Sequence, residues 1–173
     1  MNEMEIFPYI RLRALEPEDI ELLYEIENNV DLWNVGVTNV PYSKLVLHDY
    51  IVTSTGDIYT DKQVRLMIEN EDKDVIGIVD VINFEPRHLR AEVSIVILDK
   101  YRNKGYAGSV LNDLRTYSKE ILHLHQLYAF VAQNNMASIR LFEKTGFTVS
   151  GVLHDWLYDG EKYQDALLVQ AII

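Results

Sequence analysis

The sequence predicts a mixed α/β fold in a single domain spanning residues 1–173. Apolar runs of strand length alternate with stretches in which apolar residues recur every three or four positions, as on one helix face. Turn-forming residues separate these segments. The chain has 173 residues, 48% of them hydrophobic, which is enough for one buried core. The predicted order is strand, two helices, three strands, helix, strand, helix and two strands.

The first half of the chain predicts five of these elements. We expect a strand over 6–12, helices over 17–28 and 44–53, and strands over 63–69 and 75–84. Pro17 stands at a favourable helix start, and Ser43 can cap the second helix. Gly56 and Asp57 break that helix, and the polar stretch 70–74 predicts a hairpin turn.

The second half predicts the remaining six elements. We expect strands over 91–98, 126–132, 147–157 and 163–172, one helix after Gly105 and another between Asn135 and Lys144. The run 126–132 is apolar on both faces, which is typical of a central strand. Asn135 is a good N-cap, and Gly146 is a good residue to follow the helix end.

Charge and composition limit the range of possible functions. The formal net charge is −11, which repels nucleic acid and anionic membranes and favours cationic partners such as amines or basic N-terminal peptides. Acidity that serves only solubility is the alternative. The chain has no cysteine, which excludes disulfides and a thiol nucleophile. Apolar runs all fall short of the roughly 20 residues that span a bilayer, so we expect a cytoplasmic protein without a membrane partner.

Residues 101–107 form a basic, glycine-containing turn directly behind the predicted strand 91–98. Successive N–H groups at the start of a helix form an anion site. Gly105 removes a side chain where a ligand must approach the backbone, and Arg102 and Lys104 add positive charge. The turn therefore predicts a phosphate site, with an ordinary strand–turn–helix connection as the alternative.

A second segment, residues 131–147, again predicts strand, cap, helix, glycine stop and strand. It contains N-M-A-S and L-F-E-K-T-G-F, while the turn at 102–107 fits the pattern R/Q-x-x-G-x-G/A. Together with the opening segment 10–19, these motifs resemble the GCN5-related N-acetyltransferase (GNAT) superfamily. The likeness is greatest to bacterial spermidine/spermine N-acetyltransferases, followed by ribosomal-protein N-terminal acetyltransferases. The resemblance implies a mostly antiparallel central sheet of about seven strands with about four helices on its faces.

The resemblance also implies that acetyl-CoA is the co-substrate, bound between two splayed central strands, and that the reaction needs no metal. One strand would bond the pantetheine amides as an added strand does, and the turn would hold the pyrophosphate. A backbone N–H near Ile97 would polarise the thioester carbonyl. The implied cofactor-binding residues are Ile95, Val96, Ile97, Arg102, Asn103, Lys104, Gly105, Tyr106, Ala107, Gly108, Asn135 and Lys144. Asn135 as a plain helix cap and Lys144 as a partner of the helix dipole are the alternatives.

Two residues are candidates for catalysis. Glu92 matches the family's strand glutamate and is the candidate base, because an alkyl ammonium must lose a proton before it attacks. Ser138 is a candidate for a hydrogen bond near the thiol. A solvated glutamate and a plain helix-face serine are the alternatives. Phe142 stands where many relatives carry a tyrosine that protonates the departing thiolate, and phenylalanine cannot do so.

The acceptor is expected to be a primary amine that attacks acetyl-CoA directly in a ternary complex. Trp33, Tyr42 and Trp156 are candidates for lining its pocket, with core packing as the alternative role for at least one of them. The loop 33–42 holds no carboxylate, which argues against polyamine specificity. A basic N-terminal peptide is the alternative acceptor, and a catalytically weak acyl-CoA-binding regulatory protein is the alternative function. Family members are commonly oligomeric, so the resemblance also implies a homo-oligomer.

Overall fold

The computed structural model describes residues 7–33 and 40–173. Its centre is one sheet of seven strands in the order β1-β2-β3-β4-β5-β7-β6. The strands are β1 (Ile10–Ala14), β2 (Val64–Asn70), β3 (Val75–Glu85), β4 (Arg90–Ile97), β5 (Gln126–Ala132), β6 (Thr148–Tyr158) and β7 (Tyr163–Ile172). All neighbouring strands are antiparallel except β4 and β5, which are parallel. The prediction of a mostly antiparallel seven-stranded sheet is confirmed.

Within the described ranges the chain forms six α-helices, two more than predicted. They are α1 (Ile20–Glu27), α2 (Val30–Trp33), α3 (Lys44–Thr53), α4 (Ile58–Asp61), α5 (Tyr106–Glu120) and α6 (Met136–Lys144). The two additional helices, α2 and α4, are single turns, too short for a periodic apolar stripe. Asp57, expected only to break a helix, caps α4 by accepting a hydrogen bond from the Tyr59 N–H.

The long elements follow the predicted boundaries to within a few residues. The largest difference is at β1, which begins at Ile10 rather than at residue 6 and ends at Ala14. Residues 1–6 lie outside the described part of the chain. Residues 7–9 precede the strand, and Phe7 and Pro8 pack against the start of α5.

The sheet is covered on both faces. The larger apolar cluster lies on the face of α5 and α6, where Leu111, Leu114 and Phe147 pack against β-strand residues such as Leu127. The smaller cluster lies on the opposite face, where Ile26 of α1 packs against Met67 of β2 and Ile78 of β3. In β4, Ala91, Val93 and Ile97 belong to the larger cluster and Val96 packs against the smaller one, so the strand contributes side chains to both faces. None of the helices in the described residues is long and apolar enough to cross a membrane.

Candidate active site

The central feature of the site is a gap between β4 and β5. These strands pair at only three positions, Arg90 with Gln126, Ala91 with Leu127 and Glu92 with Tyr128. Both strands continue beyond this point, and β5 stays paired with β7 as far as Ala132. The sheet therefore opens into a wedge towards the carboxyl ends of β4 and β5.

One edge of β4 faces this gap with its main chain. The Leu98 N–H donates to the Ile76 carbonyl of the β3 side at 2.9 Å, which sets the alternation along the strand. By that alternation Val93, Ile95 and Ile97 direct their backbone groups into the gap. Val96 does not, and its carbonyl packs against Gly77 of β3 so closely that a Cβ there would collide with it. Of the predicted pantetheine contacts, Ile95 and Ile97 thus have the required backbone orientation.

The first turn of α5 lies at the mouth of the gap. Asn103 and Gly105 both adopt positive φ, 59° and 85°, and turn the chain sharply into the helix. Among the described residues no side chain caps this helix at Gly105. The N–H groups of Tyr106 and Ala107 precede the first helical hydrogen bond and point out of the helix end. This arrangement suits an anion.

Gly108 differs from the rest of the turn. Its N–H already donates to the Gly105 carbonyl at 3.1 Å, as does that of Ser109 at 3.3 Å. A Cβ at position 108 would lie on the Phe7 ring, 2.7 Å from its Cδ1. The structure therefore places Gly108 as a packing residue behind the turn rather than among its outward N–H groups.

The two basic side chains of the turn have protein partners. Arg102 forms an ion pair with Asp99 at 2.9 Å and donates through Nε to the Ile97 carbonyl at 2.9 Å. The Lys104 ammonium lies 5.5 Å from the centre of the Tyr101 ring. Asp99 offsets part of the Arg102 charge, so the main-chain N–H groups are the principal anion-binding feature here.

α6 brings the second motif to the other side of the gap. Asn135 is the N-cap, and its Oδ1 accepts from the Ser138 N–H at 3.1 Å. Ser138 is half-buried and Lys144 is exposed in the last turn. Phe142 is 5% exposed and packs edge-to-face against Phe147 with 4.9 Å between ring centres. The ring that replaces the expected tyrosine is therefore a core side chain.

Glu92 lies on the sheet face opposite α5 and α6, at the last paired position before the gap. Its Oε2 accepts a hydrogen bond from the Asn83 side chain at 2.8 Å. Its cross-strand neighbour is Tyr128, whose pKa is raised by burial and by the negative charge of Glu92. A half-buried carboxylate at the vertex of the wedge can accept a proton from a group that enters from this face.

An aromatic wall stands beside Glu92, and of its members only Trp156 was predicted from the sequence as a candidate for the acceptor pocket. It consists of Tyr128, Phe130 and Trp156, with ring centres 5.6 Å and 5.5 Å apart along the row. Tyr128 and Phe130 are two positions apart on β5, so their side chains share one face. That spacing was visible in the sequence, but the order of strands that places Trp156 beside them was not. The wall offers an apolar surface to an organic amine.

A partly buried ionic network, also unforeseen, lies further along the same face. Arg65 of β2 forms a two-pronged contact with Asp80 of β3, at 2.6 Å and 2.9 Å, and reaches Glu27 of α1 at 2.5 Å. Burial lowers the pKa of Arg65, but hydrogen bonding to Asp80 and the charges of Asp80 and Glu27 outweigh burial and raise it. Arg65 thus neutralises two carboxylates that a cation could otherwise use.

The predicted acceptor residues are only partly within the described chain. Trp33 ends α2, but its side chain and residues 34–39 lie outside the described part. Tyr42 is half-buried, and its N–H and carbonyl both bond the Asn28 side chain, at 2.8 Å and 3.1 Å. This contact ties the approach to α3 to the end of α1. A cleft of about 200 Å³ runs between the α1–α2 region and the carboxyl end of β4, where Arg102 lines it.

Within residues 7–33 and 40–173, His, Asp and Glu side chains nowhere gather in a group of three or more that could hold a metal ion. The protein groups at the gap are thus backbone amides, a carboxylate and aromatic rings. An uncapped helix start with a positive-φ glycine is a fitting cradle for the phosphates of a nucleotide cofactor.

Comparison with known proteins agrees with this geometry. The model of the acetyltransferase (GNAT) domain family matches residues 10–148. The chain therefore belongs to the GNAT family and is an N-acetyltransferase with acetyl-CoA as its co-substrate. It is 30% identical to the spermidine N(1)-acetyltransferase of Vibrio cholerae over 90% of this chain and 88% of that protein. It is also 26% identical to the putative ribosomal N-acetyltransferase YdaF of Bacillus subtilis, over 91% and 87% of the two chains.

The fold is likewise similar to solved structures. The crystal structure of the spermidine N-acetyltransferase from Vibrio cholerae in complex with CoA and spermine superposes with a TM-score of 0.83. The two chains share 29% identity, and the match covers 94% of this chain and 95% of the other. The wedge in the sheet and the glycine turn therefore occur in a fold that has been solved with CoA.

Proposed function

We propose that this protein transfers an acetyl group from acetyl-CoA to a primary amine by direct attack in a ternary complex. The observation that carries the proposal is the parting of β4 and β5 after three paired positions, beside the uncapped start of α5. A gap lined by main-chain groups accepts an extended amide-containing arm as it would accept another strand. Glu92 lies at the closed end of the same gap, with its side chain on the sheet face opposite α5 and α6.

In this proposal the backbone holds the co-substrate. The outward groups of Ile95 and Ile97 bond the pantetheine arm, and the N–H groups from Asn103 to Ala107 hold the pyrophosphate. An N–H in the segment that ends at Ile97 stabilises the oxyanion that forms when the amine attacks the thioester. Asn135 and Lys144 approach the arm and a phosphate from α6, with Gly108 supporting the turn from behind.

Side chains on the other face prepare the amine. An alkyl ammonium has a pKa of about 10, so it must be deprotonated before attack. Glu92 takes that proton, directly or through a water. Ser138 hydrogen-bonds near the departing sulfur. It replaces the tyrosine hydroxyl that is missing at position 142. A thiol of pKa roughly 9 leaves as a thiolate without an obligatory acid, so the missing tyrosine lowers the rate without abolishing it.

The acceptor in this proposal carries one ammonium near Glu92 and an organic body against the aromatic wall. Relatives act on spermidine, which carries further ammonium groups. Here Glu27 and Asp80 are bound to Arg65, and the sequence 33–42 contains no carboxylate. These features favour a monoamine over a polyamine. A basic N-terminal peptide is the second acceptor class, favoured by the net charge of −11 and by the similarity to YdaF.

The test is thiol release from acetyl-CoA over a panel of amines. The panel contains a hydrophobic monoamine such as phenethylamine, spermidine, spermine, amino acids, an aminoglycoside and a basic N-terminal peptide. The proposal expects release with a monoamine at a higher kcat/KM than with spermidine. A preference for spermidine would overturn the acceptor assignment while keeping the reaction. Absence of release with every amine, in a preparation that binds CoA, would overturn the transfer itself.

A second function is favoured by one observation, the burial of Phe142 against Phe147. With no tyrosine hydroxyl at that position, an acyl-CoA-binding regulatory protein of low activity fits the same fold. Equal thermal stabilisation by CoA and acetyl-CoA, without turnover on the panel, would establish that function.

Self-association is also part of the proposal, because a Vibrio cholerae relative has been solved as a dodecamer. Light scattering after size-exclusion chromatography, with and without acetyl-CoA, measures the assembly directly. A mass of 20.1 kDa at micromolar concentrations would contradict it.

A further inference from the structure

An N-terminal strap, formed by Phe7 and Pro8, lies across the first turn of α5 before the chain enters β1. The Phe7 ring occupies the space beside Gly108, and Pro8 lies against Gly105. The Ser109 hydroxyl, which is buried, donates to the Pro8 carbonyl at 2.6 Å. These three contacts join residues about a hundred positions apart in the chain, and all fall on the turn that holds the outward N–H groups.

The strap accounts for the second glycine of the turn. Gly105 has a φ of +85°, and a Cβ there would come 3.1 Å from Pro8 Cδ, so both conformation and contact favour glycine. Gly108 has no such φ, and glycine is unfavourable in a helix relative to alanine. The three atoms nearest to a Cβ at position 108 all belong to the Phe7 ring. Gly108 and Phe7 are therefore complementary parts of one contact.

A turn with two residues at positive φ has many alternative conformations when nothing holds it. Ordering such a turn at the moment of binding weakens affinity, whereas a turn held beforehand binds more tightly. The strap contacts Gly105, Gly108 and Ser109, which flank Tyr106 and Ala107 in the chain. Contacts on both sides of these two residues can hold their N–H groups in one orientation.

We propose that the N-terminal strap is a positioning element for acetyl-CoA, which holds the first turn of α5 in its anion-binding conformation through Phe7 and Ser109. The inference rests on the proposed cofactor site. It assigns a role in cofactor affinity to residues that lie outside the motifs and outside the gap. Loss of the strap should weaken binding of the co-substrate and leave binding of the amine unchanged.

The first variant is Phe7→Ala in the full-length protein, with Tyr9→Ala as a matched control. Tyr9 belongs to the same segment but is 63% exposed. We expect the Kd for CoA by calorimetry and the KM for acetyl-CoA to rise about tenfold in Phe7→Ala, while kcat and the amine KM stay within about twofold. Tyr9→Ala should match the wild type in all four quantities. Ser109→Ala should repeat the Phe7→Ala pattern, and Ser109→Thr, which keeps the hydroxyl, should recover most of the affinity.

The contact itself is tested by a double-mutant cycle. Gly108→Ala alone places a methyl group on the Phe7 ring and should weaken CoA binding. Combined with Phe7→Ala, which makes room, it should cost less than the sum of the two single effects. Additive effects would show that the two residues do not act through this contact and would overturn the inference.

Thermal unfolding of each variant shows whether it is folded at the assay temperature. If a Phe7→Ala protein proves unfolded, Ser109→Ala and the milder Phe7→Leu carry the comparison. Wild type that binds CoA, with Phe7 and Ser109 variants of unchanged affinity, would overturn the strap and leave the cofactor site in place. Wild type that does not bind CoA would overturn the cofactor site and the strap with it.

Discussion

The two sides of the gap are built from different materials. The proposed cofactor side consists of main-chain groups, supplied by the open edge of β4 and the glycine turn before α5. The proposed acceptor side consists of side chains, namely Glu92, the aromatic wall and the Arg65 network. Residues of the first kind are nearly contiguous, whereas those of the second kind come from α1, β2, β3, β4, β5 and β6.

This difference explains which sequence changes each side of the gap tolerates. Backbone N–H groups are present whatever the side chains, so the cofactor side depends on conformation and tolerates many sequences. The acceptor side depends on which charges are present and how they are paired. Arg65 shows this, because it converts two carboxylates of the acceptor face into an internal ion pair network. Substitutions on the two sides should therefore affect different kinetic constants.

The largest effect is expected from Gly105→Glu on the cofactor side. The substitution strains a residue with a φ of +85°, presses a side chain on Pro8 and adds a negative charge beside the proposed pyrophosphate site, so CoA affinity should fall about a thousandfold or more. Calorimetry with CoA measures it. The matched control is Gly56→Glu, which also has a positive φ, +69°, but has nothing within 4 Å. Unchanged affinity in Gly105→Glu would remove this turn from the cofactor site.

Glu92→Gln is the corresponding change on the acceptor side. Glutamine keeps the size and the contact with Asn83 but cannot take a proton, so kcat should fall about a hundredfold with little change in CoA affinity. Stopped assays of thiol release across pH measure the loss. Glu71→Gln, in the exposed turn between β2 and β3, is the control. Normal kcat in Glu92→Gln would show that proton removal happens elsewhere.

Arg65→Met tests the acceptor side through a residue that is not proposed to be catalytic. Methionine keeps the length of the side chain but removes the ion-pair partner of the buried Asp80, which should lower the free energy of unfolding by about 3 kcal/mol. Unpaired buried carboxylates have raised pKa values, so the folded variant binds more protons and its deficit should shrink as pH falls. Urea denaturation at two pH values measures both.

Adding Asp80→Asn to Arg65→Met should recover part of that stability at neutral pH, because one uncompensated charge is removed. A deficit that is the same at both pH values, or no recovery in the double variant, would contradict the network as described.

The smallest effect is expected from Phe142→Tyr. The added hydroxyl restores the group that many relatives carry, so turnover should be preserved or raised, by no more than about tenfold, well within what general acid catalysis supplies. Steady-state kinetics with acetyl-CoA and the preferred amine measure it. Phe147→Tyr in the same ring pair is the control and should only lower stability, because its hydroxyl would be buried without a partner. A large loss of turnover in Phe142→Tyr would show that the core requires the phenyl ring.

Local features of the fold were predictable from the sequence because short stretches of chain control them. The caps at Ser43 and Asn135, the glycine turn at Gly105 and the strands β2 to β7 all appear near their predicted positions. Single-turn helices were missed, since four residues make no periodic pattern. The sequence did not show which residues of β4 direct their backbone groups into the gap, and Val96 was therefore wrongly included among those with the required orientation. The alternation along a strand is fixed only when one of its hydrogen bonds is known.

The sequence by itself determined the strands, the long helices and the uncapped helix start after Gly105, because propensity, capping and turn conformation act over a few residues. Its two motifs also determined the family, by resemblance. Only the tertiary structure decided where β4 and β5 part, that Arg65 occupies Glu27 and Asp80, and that Phe142 lies in the core. It also decided that Phe7 fits against Gly108. These contacts join distant segments, and their partners are set by strand order and packing, which no local pattern encodes.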